Sequence, residues 1–218
     1  MLTEEDKAKF SEIFNTGGNT DRAVEKAIEV AVATGKAGID DIFFYESSAP
    51  YGWACNFYKA KQCIKGITYP TNEHFYQSEK AAKKELKEWI AFCPSPFHAM
   101  KAGRALRLSK GETYKNWDSF KYQVMLDGLH AKFFQNPNLG EKLLETGTKI
   151  IHEASPVDMT WGVLGEDLLG KAIMEVRAAL LKEISKKSLE ELKKESYSKE
   201  INFQRDGGST VGWYGLGP

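Results

Sequence analysis

The chain changes texture at Thr71, and that change limits the folds open to it. From Thr71 onward apolar residues recur at helical spacing almost without interruption, whereas residues 42–69 hold short β-rich runs parted by turn residues. Ile42-Phe43-Phe44-Tyr45 reads as a strand, and 58–69 reads as a hairpin turning at Lys65-Gly66. The Ser-Ser-Ala-Pro-Tyr-Gly stretch ending at Gly52 has no helical period and reads as a loop. Together these predict an α+β fold, a predominantly α-helical single domain with a small antiparallel sheet placed early.

The helical part can be divided further. Thr71 or Asn72 caps a helix expected to run to about Trp89 or Ile90, and a short one follows Pro96 to about Gly103. A long helix is expected over 117–135, another over 138–146, and a strand over 149–152. Asp167 to Ile184 reads as a helix, after which Ser188 is expected to cap a separate charged segment. Ahead of the strands, Phe10, Ile13 and Phe14 mark a helix over 3–15, and a second starts at Thr20 or Asp21 and closes at Gly35. The expected organisation is an N-terminal helical extension over 1–38, a catalytic domain over 40–184, and a charged helix with a Gly-rich tail over 185–218.

Three blocks join turn-forming residues to polar and aromatic side chains: Tyr-Gly-Trp-Ala-Cys-Asn-Phe at 51–57, Tyr-Pro-Thr-Asn-Glu-His-Phe-Tyr-Gln at 69–77, and Ser-Pro-Val-Asp-Met-Thr-Trp-Gly at 155–162. Glu73 falls in the first turn of its helix, where a carboxylate either steadies the helix dipole or does chemistry. Glu73, Gln77 and Lys80 are spaced i, i+4 and i+7, so all three project along one face, with Tyr76 beside them. Asp158 is either a turn aspartate or the second of two separated carboxylates, the pair that hydrolysis of a glycosidic bond requires. Trp161 reads as core or as a platform for a flat ring. Asn56 reads as a turn residue or a partner for sugar hydroxyls, and Gly52 as a point of close backbone approach. Arg104 and Arg107 read as phosphate ligands or as surface charge. Trp117, at a helix start, reads as packing.

Other chemistries find no footing in this sequence. Thirty basic residues balance thirty acidic ones, so no overall field draws the chain to nucleic acid or membrane. Three cysteines and four scattered histidines lack metal-ligand spacing, and neither a phosphate-binding Gly-rich loop nor a nucleophile elbow is present. No apolar run reaches the ~20 residues of a membrane span. A reduced, cytoplasmic protein without metal or cofactor is expected.

Taken in order, these blocks resemble the NADAR, or YbiA-like, family. The resemblance runs from about Ile42 to Leu181. It is carried by Phe44-Tyr45, Gly52, Asn56-Phe57, the 69–77 block with Lys80, Ala102-Gly103-Arg104, Asn116-Trp117, Val124-Met125 and Ala131-Lys132-Phe133. Leu143 to Gly147, Asp158-x-x-Trp161-Gly162, Leu169-Gly170 and Met174 to Arg177 complete it. Two departures stand out: Cys55 replaces the usual Ser before Asn-Phe, and the Gly-rich turn after Trp-Gly is shortened to Gly165-Glu166-Asp167.

The resemblance implies an N-glycosidase that cleaves the bond between the anomeric carbon of a ribose and a heteroaromatic base. Two substrates follow from it. One is guanine carrying ADP-ribose in nucleic acid, with a single strand preferred. The other is a phosphoribosyl-aminopyrimidine intermediate of riboflavin synthesis. The same fold holding ADP-ribose or a nucleotide without cleaving it is the alternative class. Glu73, Asp158 and Lys80 are the implied catalytic residues. Asn56, Phe57, Trp161, Gly52, Gly162, Gln77 and Arg104 are the implied substrate contacts.

Overall fold

The computed structural model describes residues 20–106, 114 and 116–205. The helix expected over 3–15, Arg107, and the Gly-rich tail from 207 lie outside the described residues. Among those described are seven helices and four three-residue strands, an α+β architecture. The chain divides at Ala178/Ala179 into two compact units. Of the second, the described residues 179–205 are helical, with Lys187 and Glu183 paired at i, i+4.

In the first unit, α1 (Thr20–Ala33) packs Ala27, Val30 and Ala31 against Val163 and Leu164, and Gly35 ends it at φ 71°. β1 (Ile42–Phe44) follows, then a single 3-10 turn at Gly52–Ala54. β2 (Gln62–Ile64) and β3 (Ile67–Tyr69) form the expected hairpin. Lys65 and Gly66 both have positive φ, 51° and 80°, which matches a two-residue turn to the right-handed strand twist. The side chain of Gln135 continues this ladder, exchanging hydrogen bonds of 2.7 and 2.8 Å with the backbone N–H and C=O of Cys63.

β1 pairs instead with β4 (Ile151–Glu153), and the pairing is parallel, Ile42 opposite Ile151 and Phe44 opposite Glu153. The hairpin is thus the antiparallel ladder that was expected, and this second ladder departs from it. A parallel pair needs a long crossover, and here the crossover is the helical body itself. Parallel strands end on the same side, so the segments leaving β1 and β4 emerge side by side.

The helical body is built around α2 (Asn72–Glu79), whose residues from Asn72 to Ser78 are all buried. Thr71 caps it, its hydroxyl accepting from the His74 backbone N–H. Helices α3 (Lys84–Ala91), α4 (Pro96–Leu106) and α5 (Trp117–Gln135) surround it. Two glycines make room for that approach. A Cβ on Gly103 would lie 2.0 Å from Gln77 Oε1, and one on Gly128 would lie 2.1 Å from Asn72 Oδ1 and 2.6 Å from Phe75 Cδ1.

Two expected helix boundaries are corrected. The helix from Thr71 stops at Glu79 rather than running to Trp89. In a straight helix Ile90 would lie about 13.5 Å along the axis from Ala81. The break at 80–83 folds α3 back so that Ala81, Ile90, Ala99 and Leu106 form one buried cluster. After α6 (Pro137–Glu145) and β4, helix α7 (Leu168–Arg205) runs through Ser188 without a stop, because residues 171–205 contain neither Gly nor Pro.

Candidate active site

The segments leaving β1 and β4, residues 55–57 after the 3-10 turn, one face of α2, and parts of α4 and α5 enclose a cavity of about 780 Å³. It lies within the range of small-molecule sites. Glu73, Tyr76 and Gln77 on α2 and Lys80 at its C-cap all line it, so the i, i+4, i+7 stripe faces inward. Gln77 donates to Glu73 Oε1 at 2.7 Å, and Gly103 holds Gln77 from behind. Burial raises the Glu73 carboxyl above its usual range and the nearby Asp158 charge adds to this, against the Gln77 hydrogen bond and the charges of Lys80 and Arg104.

Aromatic rings cluster at the helical wall. Tyr76 meets Trp161 edge-on at 5.5 Å and Trp117 at 5.3 Å, and Lys80 Nζ lies 4.9 Å from the Tyr76 ring centre and 5.9 Å from that of Trp117. Trp117, which reads as packing in the sequence, lines the cavity. Burial, with the charge of Glu73 next, raises the Tyr76 hydroxyl well above its ordinary value, so it stays protonated. Arg104, Lys121 and Met100 complete this side.

Asp158 comes from the loop that follows β4. Its Oδ1 accepts the backbone N–H of Thr160 at 2.9 Å and of Trp161 at 2.8 Å, and its own N–H donates to Ser155 Oγ at 3.0 Å. It is therefore a turn aspartate and a cavity-lining carboxylate at once. Gly162 closes this turn, where a Cβ would come within 2.7 Å of the Asp158 carbonyl.

The 52–57 segment is pinned from below. Asn56 Oδ1 accepts from Asn72 Nδ2 at 2.9 Å, Asn72 Oδ1 in turn accepts from Gln62 at 3.0 Å, and the Asn56 carbonyl accepts the Glu73 N–H. Asn56 and Phe57 both line the cavity. Gly52 and Gly162 are not among the lining residues. A Cβ on Gly52 would sit 2.5 Å from the carbonyls of Glu46 and Ser47, so this glycine admits the chain's own loop rather than a ligand.

Two groups here escape a reading of the sequence. Lys132, inside α5, is fully buried and donates to the carbonyls of Ala54 and Cys55 at 3.2 and 2.8 Å, fixing the 3-10 turn. Burial lowers its ammonium to about 7, while the Cys55 thiol beside it is pushed by burial up to about 11. A lysine among apolar helix neighbours, as in Ala131-Lys132-Phe133, is the signal that was available. Glu153, the last residue of β4, also lines the cavity. A three-residue strand has too short a period to show which way it points. No group of His, Cys, Asp and Glu suited to a metal occurs among the described residues.

Residues 43–181 match the family model described as the NADAR domain. N-glycosidase YbiA of Escherichia coli (strain K12) is 36% identical over 143 residues, covering 64% of this chain and 88% of that protein. An N-glycosidase of Nostoc punctiforme is 31% identical over 140 residues, 62% of this chain and 90% of the relative. A riboflavin biosynthesis protein of Vibrio vulnificus is 32% identical over 148 residues, 64% of this chain but 38% of the longer protein. The NMR structure of E. coli YbiA superposes with a TM-score of 0.59 at 34% identity, over 68% of this chain and 90% of that one.

Proposed function

The chain belongs to the NADAR family, and from that premise we propose that it is an N-glycosidase, hydrolysing the bond between C1′ of a phosphorylated ribose and an amino-substituted heteroaromatic base. The observation that carries this reading is the division of the cavity. Carboxyls from separate elements, Glu73 on α2 and Asp158 after β4, face a common space whose helical wall supplies Lys80, Arg104 and Lys121. A ribose between the carboxyls has negative charge where an oxocarbenium-like transition state develops positive charge. The cations suit the phosphates, and Trp161 with Trp117 gives the base an aromatic wall. Asn56, held in one orientation by Asn72, suits the sugar hydroxyls.

Two substrates satisfy this description. A phosphoribosyl-aminopyrimidine, an intermediate on the way to riboflavin, is favoured by the riboflavin-synthesis relative. Guanine carrying ADP-ribose is favoured by the spread of cations over α2, α4 and α5, which suits more than one phosphate. The purified protein should be incubated separately with an aminopyrimidine ribotide and with single-stranded and duplex oligonucleotides carrying ADP-ribosyl-guanine, and the products read by mass spectrometry. Release of a free base or intact guanine from at least one supports the N-glycosidase. Tight binding of ADP-ribose without release of any base makes the protein a binding module instead.

A further inference from the structure

Glu153 has no part in the reading above, yet its side chain shares the cavity wall with Glu73 and Asp158. It sits opposite Phe44 at the last rung of the parallel ladder, where strand gives way to the loop that carries Asp158. Its Oε2 is shut off from solvent and has no hydrogen-bond partner among the described residues. The titratable groups around it are Tyr45 just after β1, Cys55 just after the 3-10 turn, Glu73 from α2, Asp158 from the following loop, and Asp167 before α7. The charges that act on it are those of carboxylates: Asp158, Glu73 and Asp167. Ionising a carboxyl in that company is costly, because Oε2 is out of reach of water and no cation is among the charges that act on it. Burial first, then the three carboxylates, push Glu153 up to about 8, so it holds a proton at neutral pH.

A protonated carboxyl beside ionisable ones is the pattern that separates an acid from its nucleophilic or electrostatic partners. Resting on the N-glycosidase reading, we infer that Glu153 is the general acid of the reaction, giving its proton to the departing base nitrogen while Glu73 and Asp158 face the sugar. The C1′–N bond breaks with its electron pair going to nitrogen, and the Glu153 O–H proton follows to that nitrogen. Water then forms the C1′–O bond and loses a proton to the carboxylate side. Base and ribose leave, and Glu153 regains a proton from solvent. One water is consumed, and no oxidant, metal or further reactant enters.

The test compares wild type, Glu153→Gln and Glu153→Asp on whichever riboside the wild type cleaves, with kcat/KM followed from pH 6 to 10. Gln copies the shape of a protonated Glu, so the fold is expected to survive. Wild-type kcat/KM should fall above about pH 8 as the acid loses its proton. Glu153→Gln should lose ~10²-fold or more and lack that alkaline limb. Glu153→Asp should keep the limb with an intermediate rate. Glu153→Gln within a few-fold of wild type overturns the inference, and so does a large loss with the alkaline limb unchanged. Carboxyl 13C NMR titration, with Glu153→Gln for assignment, reads the group without turnover. A Glu153 carboxyl titrating in the ordinary carboxylate range overturns the inference even in an active enzyme. A carboxyl titrating near 8 in a protein that cleaves no riboside discards the N-glycosidase reading, and the acid role with it.

Discussion

Glu73→Gln keeps both the shape of the side chain and an oxygen for the Gln77 amide. Turnover should nevertheless fall by ~10²-fold or more with the melting temperature close to wild type, because only the charge is lost. Near-normal turnover would remove Glu73 from the chemistry. Trp161 lines the cavity and meets Tyr76 in a T-shaped pair; as a platform for the base, its loss in Trp161→Ala should chiefly raise KM for the base-bearing substrate and leave kcat less affected, read by steady-state kinetics. A variant that fails to fold would make this ring core instead. Glu73 could be singled out beforehand by a stripe at i, i+4 and i+7 that stays on one face of α2 wherever that helix packs, and Trp161 by its place three residues after Asp158. Glu153 could not be, and Lys132 shows itself only as a lysine among apolar neighbours. Strand orientation over three residues, and the fate of a lysine in a half-apolar helix, are settled only by the partners that arrive from elsewhere in the chain.

The elements meet through two glycines that predict different failures. Gly103 faces Gln77, the side chain that holds Glu73, whereas Gly128 faces Asn72 and Phe75. Gly128→Ala should destabilise the fold by about 1–3 kcal/mol, as overpacking does, measured by urea unfolding. Gly103→Ala should lower turnover more than its stability loss explains, because it displaces Gln77 from Glu73. Elements are also tied by polar contacts. His152 in β4 bonds Asp167 before α7 at 2.6 Å and Asp41 before β1 at 3.1 Å. Burial opposes its proton, but these two carboxylates outweigh burial and raise its pKa above 6.5. Its contribution to stability is therefore complete below the unfolded pKa and lost as pH rises through the higher folded one. The difference in urea midpoint between wild type and His152→Gln should shrink from pH 5.5 to 8.5, and a difference that grows would reverse the assignment. Elements set by local chemistry, such as the Lys65-Gly66 turn and the 117–135 helix, were legible in the sequence. The break at 80–83 and the parallel pairing were not. The first is imposed by Ala81 meeting Ile90, and the second by strands about a hundred residues apart, far beyond any local pattern.

Over the molecule as a whole, balanced charge offers no broad grip on a polyanion. Cleavage of a short ADP-ribosylated oligonucleotide, where it occurs, should decline only gently between low and moderate salt, measured as initial rate. A steep decline with a preference for duplex would reveal a DNA-binding face. The parallel ladder has a bearing on time as well as on shape. Helices α2 and α5 can form from neighbouring residues, but Glu153 and Asp158 reach Glu73 only when β4 finds β1 across the whole helical body. Closing so long a loop carries an entropy cost that no local contact offsets beforehand. In a refolding experiment the far-UV helical signal should therefore return first, and catalytic competence should lag behind it. The interval between the two would be the lifetime of a chain that already has most of its helices and not yet an active site.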